Sequence, residues 1–150
     1  MSASGLVALT VLAGTPYHGE DGGLYGGGRN EPPPKLAAGA AKAAAAVRPL
    51  DREGHPAKDG RIVLMSLGMS NGTQEWRAFM ELAAEERAVS PRVLLVDGAQ
   101  GGMDVRAWAK GDSPAWKTAG ERLSAAGASP LQVQAVSCKH ARARPAESGA

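Results

Sequence analysis

Two short glycine-rich turns hold the residues of this sequence whose types and spacing can do chemistry. The first, Gly68-Met69-Ser70-Asn71-Gly72-Thr73, places a serine just beyond an apolar run. The second, Gly98-Ala99-Gln100-Gly101-Gly102, closes a similar run. Glycines let a backbone approach a ligand closely and aim successive N–H groups at one point, a nest that holds anions. Where such a turn feeds a helix, the helix N-terminus further stabilises negative charge. A serine there can act as a nucleophile, with N–H groups from both turns stabilising a tetrahedral oxyanion. The same residues admit a plainer role, in which Asn71 or Thr73 caps the helix and Gln74 and Glu75 fill its first turn. Phosphate binding is a third option. The first turn has neither the Lys-Ser/Thr ending of a phosphate loop nor a Gly-x-Gly-x-x-Gly spacing.

For the two turns to meet, strands must end in them. Arg61-Ile62-Val63-Leu64-Met65-Ser66-Leu67 reads as a strand covered on both faces, and Arg92-Val93-Leu94-Leu95-Val96-Asp97 as a second. Between them the pattern predicts a helix from Thr73 or Gln74 to Val89, with Trp76, Phe79, Met80 and Ala83 on one face and Ser90-Pro91 as the stop. A single helical turn over Asp104–Lys110 is expected next. Ser113-Pro114 then opens a helix with Trp116, Ala119 and Leu123 on one face, capped by Gly127, and Leu131–Cys138 is a weaker third strand. Strands alternating with helices require crossover connections and a parallel sheet. In open parallel sheets the ligand site lies beyond the carboxyl ends of the strands, where both turns fall. Three strands make a thin sheet with a face or edge left bare.

The remainder of the chain bounds the reading. Residues 14–34 are dense in Gly, Asn and Pro, which neither a helix nor a central strand tolerates, so this stretch is ordered by packing or not at all. Lys35–Val47 is an Ala-rich helix ended by Pro49. The expected organisation is a Gly/Pro-rich extended segment over 1–34, a partial α/β domain over 35–138 and a polar tail over 139–150. The apolar run Gly5–Ala13 fits either the remnant of a signal peptide, which would imply a secreted or periplasmic protein, or an extended start. No run reaches the roughly 20 apolar residues that a membrane-spanning helix needs.

Hydrophobic residues make up 43% of the chain and aromatic ones only 4%, so the core must come from Val, Leu, Ile, Met and Ala. A formal charge of +2 is too small to argue for nucleic acid or an acidic membrane. The single cysteine, Cys138, excludes an internal disulfide framework and is expected as a buried, inert thiol. No His/Asp/Glu cluster has metal-ligand spacing, so neither metal nor cofactor is expected. Of the three histidines, His18 and His55 precede the first strand and read as loop residues, whereas His140 follows the third strand. Asp97 and Asp104 are candidate site carboxylates, with a turn or cap role as the alternative for Asp97.

Gly68-Met69-Ser70-Asn71 after a hydrophobic strand resembles the first motif block of the SGNH (GDSL-like) hydrolase superfamily, in the variant of its carbohydrate-esterase branches. The wider stretch Ser66–Trp76, with Val96–Gly102 and the upstream Tyr17-x-Gly-x-x-Gly-Gly-Leu-Tyr25 and Asn30 run, resembles a group of bacterial proteins of that superfamily. The likeness covers about residues 15–136. It implies a three-layer α/β/α flavodoxin-like fold with a parallel sheet, here incomplete at about three strands. It implies Ser70 as nucleophile and oxyanion donor, Gly101 or Gly102 as the second donor, and Gly68 and Asn71 in the same pocket. The implied substrate is a small-molecule or carbohydrate ester, with no nucleic acid partner. The superfamily's third block carries an Asn after the third strand, where this chain reads Val136-Ser137-Cys138-Lys139-His140. Its last block, Asp-x-x-His, has no counterpart, and the strand runs instead into Arg/Ala/Pro/Ser/Gly-rich sequence, as altered reading frames or truncations often do. The expectation is the front half of such a domain, lacking its base and inactive as it stands. The rival reading is a non-catalytic module that holds a small anion or sugar at the same turns.

Overall fold

A computed structural model describes residues 8–16 and 19–142. Tyr17, His18, the first seven residues and the tail from 143 lie outside the described residues, and with them parts of the upstream motif and of the candidate signal segment and most of the polar tail. The chain divides into two compact units, Met1–Ala46 and Val47–Ala150.

In the first unit, the Gly-rich stretch is ordered by its own backbone. A short 3-10 turn, Leu9–Leu12, anchors it. Gly23 N–H donates to Leu9 O, Gly14 N–H to Gly28 O, and the Asn30 amide to Thr10 O. Gly22 is buried so closely that an added Cβ would lie 2.1 Å from Leu12 O. The Ala-rich helix α1, Pro34–Ala46, follows and buries none of its residues.

The second unit is an α/β fold around a three-stranded parallel sheet: β1 (Ile62–Gly68), β2 (Val93–Asp97) and β3 (Val133–Lys139), in the order β2-β1-β3. That order opens the flavodoxin-like arrangement, whose ligand crevice lies between the first and third strands at their carboxyl ends. Helices α2 (Ser70–Glu85), α3 (Val105–Trp108) and α4 (Pro114–Ala125) connect the strands. Central strand β1 presents Val63, Met65 and Leu67 to a core shared with Val96, Trp108, Ala115, Ala119, Leu123 and Ala128. Helix α2 packs against β1, where Ser66 and Trp76 line one cavity. The apolar runs became strands because both faces of β1 are covered, so each side chain along it has a partner.

Three expectations are corrected. Helix α2 begins at Ser70 rather than Thr73 or Gln74, and ends at Glu85 rather than Val89. Met69 is its extended N-cap residue and offers no side-chain bond, so neither Asn71 nor Thr73 caps the helix. The early end follows from Glu86, whose carboxylate accepts the N–H of Ala88 and so offers the backbone a turn in place of the next helical bond. Cys138 is exposed rather than buried. It sits on edge strand β3, where residues from Ala135 to Lys139 are exposed because, among the described residues of this unit, no further strand pairs with it. For the same reason Phe79, Trp116 and Val136 stay 41%, 41% and 46% exposed although they flank the sheet.

Candidate functional site

The two Gly-rich turns sit side by side at the carboxyl end of the sheet. Register brings Ser66 of β1 opposite Asp97 of β2, so the residues that follow each strand emerge as neighbours. Gln100 N–H donates to Gly68 O (2.9 Å), and the Thr73 hydroxyl donates to Ala99 O (3.0 Å). An added Cβ on Gly72 would meet that of Ala99 at 3.4 Å, and one on Gly101 would meet Ser70 Cβ at 3.9 Å. Even with a Cβ at either position the two turns would lie at ordinary van der Waals contact.

Ser70 is exposed at the first residue of α2, and Gly101 is exposed beside it. Among the described residues, the backbone N–H groups of Ser70, Asn71, Gly101 and Gly102 donate to no acceptor. Those of Ser70 and Asn71 carry the partial positive charge of a 16-residue helix end. Gly68 is buried, and its carbonyl accepts from both Gln100 N–H and the Trp108 indole (3.3 Å). Asn71 accepts the N–H of Gly72 on its side-chain oxygen (3.0 Å). Gly102 has φ +77° and faces open space.

The candidate carboxylates are occupied in building the turns. Asp97 Oδ1 accepts the Ser66 hydroxyl (2.7 Å) and the N–H of Ala99 (3.1 Å). Buried Asp104 caps α3 and binds Arg106 at 2.6 Å, and this hydrogen bond, followed by the carboxylate's charge, raises the Arg106 guanidinium above its ordinary value. Ser70 Oγ forms no hydrogen bond to a side chain among the described residues. His140 follows β3 with its ring centroid 5.7 Å from that of Trp108, and His55 pairs with Asp51 at 3.6 Å. Lys139 and Glu75 form an ion pair beside a cavity of about 210 Å³ lined by Ser66, Gly72, Trp76, Phe79 and Ser137. Among the described residues no three His, Cys, Asp or Glu side chains gather where they could hold a metal ion, and no helix is long and apolar enough to cross a membrane.

Sequence reasoning missed the residues that fasten the second turn. Ser66 is 3% exposed; its hydroxyl donates to Asp97 and accepts the N–H groups of Gly98 (3.2 Å) and Ala99 (3.3 Å). The available signal was a lone polar residue inside an apolar strand, two residues before the strand end. Gln100, also buried, donates through its side chain to Gly98 O and Ala115 O. Arg122 of α4 reaches the carbonyls of Asp97 and Ala99, a long-range contact with no local signature. Ser66→Ala is expected to lower stability by about 1–2 kcal/mol, because the Asp97 carboxylate loses one donor while Ala99 N–H still serves it. The shift of the urea midpoint at constant slope measures this.

No protein-family model, curated protein or solved structure matches the chain.

Proposed function

We propose that the α/β unit is the nucleophile and oxyanion half of an SGNH-type serine ester hydrolase, with a carbohydrate acyl ester or similar small ester as its substrate class. Ser70 attacks, and the N–H groups of Ser70 and Gly101 receive the oxyanion. The observation that carries this reading is the adjacency of exposed Ser70 to Gly101, with unpaired N–H groups on both. Such donors stabilise charge that develops during attack. Because no side chain among the described residues hydrogen-bonds Ser70 Oγ, its hydroxyl has no partner among them to take its proton, and turnover is slow as the chain stands.

A fluorophosphonate probe tests the proposal. Ser70 Oγ bonds to phosphorus, fluoride leaves, and the hydroxyl proton passes to water. The expected result is slow, stoichiometric labelling mapped to Ser70 by mass spectrometry and absent from Ser70→Ala. Hydrolysis of p-nitrophenyl acetate should stay near the buffer rate. Efficient hydrolysis lost in Ser70→Ala would refute the inactive clause.

The lack, among the described residues, of a base bonded to Ser70 and the N–H groups without acceptors at a helix start favour a second reading, a non-catalytic site for a small anion or sugar. A folded protein that takes no label, yet melts higher in phosphate or acetate, would establish that reading and remove the first.

A further inference from the structure

We infer that Arg122 is the positioning residue for the second oxyanion donor, acting through the backbone of the Gly98–Gly102 turn; this rests on the hydrolase reading above. Arg122 Nη1 donates to Asp97 O at 2.9 Å and to Ala99 O at 2.8 Å. It is the only side chain among the described residues that bonds both carbonyls, and it reaches them from α4, an element otherwise remote from Ser70.

The consequence follows from peptide planarity. In a trans peptide the C=O and the next N–H point in opposite directions. Drawing Ala99 O toward Arg122 and the Thr73 hydroxyl therefore aims Gln100 N–H the other way, where it meets Gly68 O at 2.9 Å. The next plane carries Gln100 O, which accepts from Met103 N–H at 3.3 Å, and on its opposite side Gly101 N–H, which has no acceptor among the described residues. Adjacent planes can rotate about φ and ψ of the residue between them, so each is held by its own hydrogen bonds, and the first of them by a charged donor. Hydrogen bonds from charged groups are the stronger ones, so this clamp resists rotation better than a neutral donor would. Arg122 touches neither Ser70 nor the space where an ester carbonyl would lie. Its effect on reactivity passes entirely through the direction of Gly101 N–H.

The test compares Ser70 labelling rates by a fluorophosphonate in the wild type, Arg122→Met and Arg122→Lys, each well below its melting temperature. Arg122→Met keeps the apolar stem and removes the donors, so its rate should fall at least about tenfold, toward the loss seen when an oxyanion donor is removed. The Lys variant retains an ammonium able to serve both carbonyls and should recover most of the rate. The Gly101 amide resonance should shift in the Met variant and return in the Lys variant, a pattern that a general loss of packing would not produce. Should the Met variant fail to fold, Thr73→Val removes the other donor to Ala99 O and is expected to slow labelling about threefold, a fraction of the donor effect. Wild-type labelling rates in a folded Met variant, or in Thr73→Val where the Met variant is unfolded, would overturn the inference while leaving the hydrolase reading intact. An unlabelled wild type would remove that reading, and the inference with it.

Discussion

Trp108→Ala is expected to cost the α/β unit about 3–5 kcal/mol, the usual range for emptying a buried tryptophan site, against a total of 5–15 kcal/mol for ordinary domains. Trp108 is 6% exposed and stands in the main core cluster. Its ring meets Trp116 edge-on with centroids 5.0 Å apart, and its indole N–H donates to Gly68 O and Met103 O. The side chain joins core packing to the backbone of the first turn, so its loss empties a large volume under the site. Trp108→Phe separates the two contributions. Most of the packing returns, and the remaining cost is about 1 kcal/mol, because Gly68 O keeps its bond from Gln100 N–H. Urea titration of the three proteins checks the order wild type, Phe, Ala. A Phe variant as unstable as the Ala variant would mean that the indole hydrogen bonds outweigh the packing.

Gly98→Ala is the second large effect. A Cβ added there would lie 2.5 Å from Ser66 O and 2.3 Å from Met65 Cε. The methionine tip can swing away, but the carbonyl belongs to the central strand and cannot. Overpacking of this kind costs about 1–3 kcal/mol or more, and in a unit of this size each kcal/mol lowers Tm by roughly 4–8 °C. Gly111→Ala serves as the control, since an added Cβ there meets nothing within 4 Å, and its Tm should stay within about 2 °C of the parent, as for ordinary surface changes. Equal melting temperatures for the two variants would mean that the second turn does not press on β1 as described.

How much of this was legible in the sequence depended on whether the cause was local. The strands β1 and β2 declare themselves because a run apolar at every position has only a few folded solutions, and a two-sided parallel strand is one of them. The two Gly-rich turns were legible as strand ends for the same reason. The start of α2 was not, because Gly68-Met69-Ser70-Asn71-Gly72 carries turn-like residues and glycine disfavours helix. Gly72 is helical nevertheless: the first turn of α2 packs beside Ala99, whose carbonyl accepts the Thr73 hydroxyl. Tertiary contact overrode local preference there. Cys138 was misjudged because it falls at the end of an apolar run, whereas burial depends on what lies beside β3 in space. Arg122 could not be read at all. Its two carbonyl partners lie 25 and 23 residues away, and nothing in the amphipathic pattern of α4 marks an arginine that points toward the sheet end.

Helix α1 has a consequence for how this protein reports on itself in solution. Its 13 residues bury nothing, so their order rests on alanine propensity in a segment of marginal length for an isolated helix. Such a segment frays gradually on warming, without a midpoint, and it contributes to ellipticity at 222 nm throughout. All three indoles lie in Val47–Ala150, so fluorescence follows only the cooperative unit. Dichroism and emission will therefore trace different thermal curves even if the sheet unfolds in a single step, and their disagreement is not the signature of an intermediate.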